Sequence, residues 1–539
     1  MSSRPRCHCL PKLIARLVHG LVVAASLVAL CVLPAAADGW SPVAPGVDYQ
    51  QLRGAGPSRV FVVRMDRSQP ELTLETALAQ RQLTDGTATV SQMVATYDQS
   101  LTAWEPAWGS RMHVVAAING SFHDLETGVP HSGMVSSGWY IRRFDDLGGG
   151  SGFAWRLDGS AMIGGCVRHP ADAQRLTVID SNASHPLAEI NRRPAGNELA
   201  VFTHHYGRRT PAAGTLAVMV QMDQPLAILD YPEMASGTVI EVAAGSEGRP
   251  IPFDQVIVTG RGTGAAWLRD QVEVGSRVGF SMQIDHYQPD CQTRRGGSWS
   301  ETYASLSGSF EFLMDGEIRS FDDPGARARN PRSAICFNDD YLYLVVLDGR
   351  NPGVSEGMTI DELAAFCRDD LGADWGINQD GGGSSALWVD GEIVNQPSDG
   401  HERPVSNALM LVAVEPIERS TRFTPGDLVE TSALVDLSVG PGHNYQTPLD
   451  AGAGQRGIVL ADPHGLHGVL ATGAYWWKVD FDGQIGWVSE DRLEAAGAGA
   501  ALSVKPPEAG VDDLRDLLIS QRWLQARAIH LRQFLLGGW

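Results

Sequence analysis

The chain has 539 residues, 43% apolar and 19% charged, which is enough for sizeable cores and too long for a single typical domain. Sixty-three acidic residues against 42 basic ones leave a charge of −21, which argues against nucleic acid as a partner, since phosphate binding needs basic stripes. The lysines are Lys12, Lys478 and Lys505 alone. Residues 13–477 therefore hold no Schiff-base or P-loop lysine, and an anion bound there must meet arginine, histidine, metal or backbone N–H groups.

Residues 1–37 read as a signal peptide. Arg4, Arg6, Lys12 and Arg16 form a positive start, Gly20 to Leu33 is apolar, and Pro34-Ala35-Ala36-Ala37 supplies small residues for cleavage. The expectation is a bacterial secreted or periplasmic protein. Cys166, Cys291, Cys336 and Cys367 remain beyond that segment, and an even count in an exported chain suggests two disulfides with three connectivities open.

From about residue 58 short alternating strands are broken by Gly, Pro and Asp turns, with Val60–Met65, Leu72–Leu78 and Met112–Ile118 among the first. Residues 334–347 read as a hairpin turning at Asn338-Asp339-Asp340. A helix follows: Thr359 and Glu362 make a capping box, Ile360, Leu363, Ala364, Cys367 and Leu371 form one stripe, and Gly372 ends it. Residues 416–428 read as a linker, 429–495 as a second set of short strands, and 496–509 as another linker. Asp512 to Leu536 reads as an amphipathic helix.

The most informative run is Ile377-Asn378-Gln379-Asp380-Gly381-Gly382-Gly383-Ser384-Ser385. Three glycines can turn the backbone so that successive N–H groups form an anion-binding nest, with Asp380 at its edge as base or nucleophile. Arg332, Asp348 with Arg350, and Asn119 each stand at a predicted strand end, where guanidinium forks suit an oxyanion such as phosphate. Gly353-Val354-Ser355-Glu356-Gly357 matches the serine-hydrolase pattern, but Ser355 falls in mid-loop rather than on a strand-to-helix turn. No ligand spacing specifies a metal, so no cofactor is expected, and a divalent ion is left without named ligands.

AINGSF (117–122), HSGMV (131–135), NPRSAI (330–335), VVLDGR (345–350), SEGMTIDELAAF (355–366), INQDGGGSSALWVDGEIVNQPSD (377–399) and RPVSNAL (403–409) resemble, in order, the segments of the phosphodiester glycosidases. These are relatives of the enzyme that uncovers mannose 6-phosphate by removing a covering N-acetylglucosamine. The resemblance implies an α+β catalytic domain with a mixed β-sheet core over residues 38–415, cleaving the glycosidic bond of a sugar-1-phosphodiester. It places Asn119, Arg332, Asp348, Asp380, Gly381, Gly382, Gly383, Ser384, Asn395 and Arg403 at motif positions. His131 lies in a matching segment as a candidate proton donor, and Gln379 stands where the family usually has Leu. Arg332, Arg403 and the 381–384 backbone would hold phosphate, Asp380 or Asp348 would act at the anomeric carbon, and Asn119 would bond a sugar hydroxyl.

Residues 429–495 resemble bacterial SH3-type domains through Val439-Gly440-Pro441-Gly442, Trp476-Trp477 and Gly486-Trp487-Val488, implying a small all-β barrel that binds cell-wall peptidoglycan. The expected substrate is an envelope or extracellular polysaccharide. The competing expectations are a phosphodiesterase that breaks P–O and a non-catalytic wall-binding protein.

Overall fold

A computed structural model of the protein describes residues 39–496 apart from 85, 102–109, 145–151, 171–172, 231, 246, 289 and 294–298. The expected signal segment, the C-terminal amphipathic helix and all but the first residue of the 496–509 linker lie outside the described residues.

The described chain is built almost wholly of antiparallel strands, which corrects the expected mixed-sheet α+β core. Among the described ladders one is parallel, Glu189–Ile190 with Leu199–Phe202. The reason is local: many successive strands are joined by tight turns that can only send the chain back beside itself. Asp315-Gly316, Asp390-Gly391 and Asp482-Gly483 place both residues at positive φ (51° and 77°, 43° and 102°, 54° and 89°), the geometry of two-residue hairpin turns matched to strand twist. Helices are short and few, chiefly Val90–Tyr97, Gly262–Gln271 and Ile360–Ala365.

Two sheets position the site. An eight-stranded sheet runs Ser41–Ala44, Val47–Gly54, Ser58–Asp66, Tyr341–Leu347, Arg332–Phe337, Trp375–Asn378, Ser309–Met314 and Glu317–Ile318 in spatial order. A five-stranded sheet runs Glu392–Ile393, Leu387–Val389, Ser110–Asn119, Asn407–Pro416 and Leu72–Leu78. Strand alternation divides the first sheet's side chains. Phe61, Val63, Leu344, Val346, Ile335 and Ile377 join Leu74, Ile118, Leu387 and Leu409 in the main core. Val60, Val62, Val345, Ala334 and Cys336 join Ile360, Leu363 and Cys367 of the capped helix on the other face. The sheet is thus buried on both faces and its middle strands are held rigidly.

The hairpin expected at 334–347 pairs Arg332 with Leu347 and Phe337 with Leu342. The helix is capped as expected, with Thr359 and Glu362 reciprocally bonded, and continues as a wider turn through Phe366–Asp370 before Gly372 at φ 68°. Two further sheets, of eight and six strands, occupy residues 134–307.

In the C-terminal region a six-stranded sheet and a separate pair, Val435–Leu437 with Leu449–Ala451, are formed. Its tryptophans are core residues: Trp477 packs within the region, whereas Trp476 and Trp487 enter the main core. Phe253 stands 5.6 Å from Tyr445 and 5.9 Å from Trp487 between ring centroids, so this region shares a core with the preceding sheets.

Candidate active site

Every residue singled out around the glycine run stands at or beyond a strand end of the two sheets. Asp380 follows strand Trp375–Asn378, and its N–H donates to the Gly120 carbonyl at 3.0 Å, just beyond strand Ser110–Asn119. This bond and its neighbours divide the expected residues into a bonded frame and an open face.

The frame contains Asn119, Arg332, Asp348 and Asn395. Asn119 is fully buried; its Nδ2 donates to the Asp380 carbonyl at 2.7 Å, and its Oδ1 accepts from Ser333 Oγ at 2.7 Å and Ala386 N–H at 3.1 Å. Arg332 donates from Nε to the Met358 carbonyl (3.1 Å) and from Nη2 to the Gly325 and Ala328 carbonyls (both 2.7 Å). Burial pulls its pKa down to about 10. The Asp348 carboxylate accepts from Asn395 Nδ2 and Gln396 N–H and faces Arg59 at 2.9 Å. Asn395 also donates to the Ser385 carbonyl and accepts from Leu387 N–H. Asn119, Asp348 and Asn395 bond protein groups through their side chains, as Arg332 does through Nε and Nη2. These bonds hold the four side chains in place around the loop that presents Asp380.

Several N–H groups of the expected amide nest are bonded to backbone carbonyls. Gly382 N–H donates to the Pro331 carbonyl, and the Ser384 and Ser385 N–H groups donate to the Gly381 and Gly382 carbonyls. The glycines answer a different demand, close approach. A Cβ at Gly381 would lie 2.8 Å from the Pro331 carbonyl, one at Gly382 would lie 3.0 Å from Arg350 Nη2, and one at Gly383 would overlap Arg403 Nη2 and Asp399 Oδ2. Gly382 in addition sits at φ 65°.

The open face is what remains. Asp380 is part exposed, and burial raises its pKa above the ordinary carboxylate value. A hydrogen bond from Ser384, the charges of His123 and Arg403, and the Gly381 N–H oppose that rise. Arg403 is aimed by Asp399, which takes its Nε at 2.8 Å and Nη2 at 2.6 Å, and its Nη1 reaches Ser384 Oγ at 3.5 Å. Arg350 is exposed and bonds Asn330 Oδ1 at 3.1 Å through Nη2. His131 is exposed on the loop whose N–H bonds the Phe122 carbonyl.

Two residues of this face carry no assigned role in the sequence reading. His123 is buried, its Nδ1 has no hydrogen-bond partner in the protein, and desolvation lowers its pKa against the opposing charge of Asp380. Asp399 sets the pose of Arg403. The signals were present: His123 follows AINGSF by one residue, and Asp399 precedes Arg403 by four. Ser355 is fully buried and donates to the Asp348 carbonyl at 2.7 Å, which removes it as a nucleophile. Gln379 is also fully buried, with neither amide atom bonded to another protein group. Among the described residues no three His, Cys, Asp or Glu side chains gather as they would around a metal ion.

The sequence model of the phosphodiester glycosidases matches residues 236–412. That span holds Arg332, Asp348, Arg350, the Asp380 loop, Asn395 and Arg403, and leaves out Asn119, His123 and His131, which the fold brings to the same place. No curated protein matches the chain. Among solved structures, a hypothetical protein from Synechocystis is 17% identical with a TM-score of 0.45, covering 68% of this chain and 62% of its own, so the chain spans less than two thirds of that protein. A putative exported protein from Burkholderia pseudomallei is 22% identical with a TM-score of 0.44, over 66% and 74% of the two chains. The catalytic domain of zebrafish N-acetylglucosamine-1-phosphodiester alpha-N-acetylglucosaminidase is 14% identical with a TM-score of 0.34, over 69% and 84%.

Proposed function

We propose that this protein is an exported hydrolase that cleaves the glycosidic bond of a sugar-1-phosphodiester in envelope or extracellular polysaccharide. The observation that carries this reading is the pairing of a half-buried carboxylate, Asp380, with an arginine, Arg403, that Asp399 fixes across Ser384 from it. A phosphodiester is already a good leaving group, so the enzyme needs a cation for its charge and a base at the anomeric carbon more than it needs a strong acid.

Arg403 and the exposed Arg350 take the phosphate from either side of the glycine turn. Asp380 removes the proton from the attacking water as the C1–O bond breaks, and its raised pKa brings it closer to neutral strength as a base. Ser384 holds one carboxylate oxygen, and His123 beside the carboxylate limits how far its pKa climbs. Asn119, Arg332, Asp348 and Asn395 act only through the loop they brace. The C-terminal strands, with their tryptophans buried, serve as part of the scaffold rather than as a peptidoglycan-binding module.

The test is turnover of sugar-1-phosphate diesters by purified protein. Asp380→Asn is expected to lose about 10²–10⁴-fold in kcat, and Arg403→Ala to lose kcat/KM with diester while sparing thermal stability. Undiminished turnover in both variants overturns the assignment. Hydrolysis in oxygen-18 water decides between bonds: label in the sugar supports C–O cleavage, and label in the phosphate makes the protein a phosphodiesterase instead.

A further inference from the structure

Cys166 and Cys291 are disulfide-bonded with their Cα atoms 5.1 Å apart, whereas Cys336 and Cys367 are thiols. Both thiols are fully buried in the core behind the site, and their sulfurs are 2.7 Å apart. That separation exceeds the ~2.05 Å of a disulfide. It lies well inside even the ~3.5 Å at which smaller carbon atoms touch. The two sulfurs face each other across a gap that a small movement closes to a bond.

The surroundings offer the pair no other task. Cys336 sits on strand Arg332–Phe337, opposite Gly376 of the strand that leads to Asp380. Cys367 sits in the turn that extends the capped helix, and its carbonyl accepts the Ala373 N–H as the chain heads into that same strand. The neighbours in this core are apolar, among them Ala334, Val345, Leu363 and Ala364. The Cys166–Cys291 bridge fits a compartment where disulfides persist.

We propose that Cys336 and Cys367 form a second disulfide in the mature protein, fastening the helix Ile360–Ala365 to the sheet whose strand ends carry Asp380 and Arg332. The oxidant is an oxidised dithiol carrier of the export compartment. One cysteine thiolate attacks the carrier's disulfide and releases one carrier thiolate. The second cysteine thiolate then attacks the mixed disulfide, forming the Cys336–Cys367 bond and releasing the other carrier sulfur. Two electrons pass to the carrier, whose two sulfurs take up the two protons. Exchange takes place before the helix closes over the strand, because burial raises the Cys336 pKa in the folded state and withholds the thiolate.

The experiment is peptide mapping of the full chain made by export, denatured without reductant while an alkylating agent is present. A linked peptide pair holding Cys336 and Cys367, two hydrogens lighter than its separate parts and free of alkyl groups, is expected. Alkyl groups on both cysteines beside an intact Cys166–Cys291 bridge overturn the proposal. A second measurement uses Cys166→Ala/Cys291→Ala protein, where reductant is expected to lower the melting temperature. An unchanged melting temperature in that variant also overturns it. The mapping holds whether or not this double variant folds, and neither readout depends on the proposed reaction.

Discussion

At Asp380 burial and charge oppose each other, and the balance can be read from activity. Desolvation raises its pKa, and Ser384, His123 and Arg403 pull it down. Turnover needs the carboxylate, so the acid limb of kcat/KM should lie above the usual carboxylate pKa of about 3.9. Replacing His123 with Ala removes one group that favours the charged form, so the limb should move to higher pH while kcat on the alkaline side falls less. A pH–rate profile of the two proteins checks this, and an unmoved limb would separate His123 from the carboxylate. The sequence displayed Asp380, the glycines and Arg403 because they lie close together in one dense run. It could not display that Asn119 and Arg332 donate to backbone carbonyls, since their partners at Asp380, Met358 and Gly325 are set by sheet pairing and loop return. Nor could it tell a nest from a crowded turn, as glycine serves either.

At the scale of elements, signals carried within one stretch of chain were legible. The hairpin 334–347 shows alternation around an Asn-Asp-Asp turn, and the helix after it shows a cap, a stripe and a terminal glycine. Sheet class was less legible, because alternation marks a strand without naming its neighbour. The helix cap gives a clean test. Thr359 Oγ1 accepts from Glu362 N–H at 3.1 Å, and Glu362 returns a bond to Thr359 N–H at 3.0 Å. Thr359→Ala should cost about 1 kcal/mol, read as a lower denaturation midpoint. The helix braces the sheet on the face away from the main core, so kcat at 25 °C should stay within about twofold, a difference of roughly 0.4 kcal/mol. A large loss of kcat at full folding would show that the helix end positions the site directly.

Across the whole molecule, residues far apart in sequence meet where the C-terminal strands join the main core. Here a small, largely buried charged cluster lies beside Phe253, whose ring centroid is 6.4 Å from that of His464. Lys478 Nζ stands 3.6 Å from Asp462 Oδ2, and His464 Nε2 stands 3.7 Å from Asp254 Oδ2. Burial raises the Asp462 pKa, the Asp254 charge raises it further, and Lys478 and His464 oppose both. Burial keeps the His464 pKa low, so at neutral pH Lys478 is the cation left to balance the acids. Lys478→Met therefore leaves Asp462 as a buried, uncompensated charge, which should cost about 3 kcal/mol at pH 7. The sign with pH follows from the raised folded pKa. A carboxylate that is harder to ionise when folded favours the folded state below its unfolded pKa and penalises it as pH climbs through the folded one. The deficit of Lys478→Met relative to the parent should thus shrink as pH falls toward about 4, near the unfolded carboxylate value. Denaturant melts of both proteins across that range measure it. A deficit that stays constant with pH would mean that the lysine acts there through its methylene packing and not through its charge.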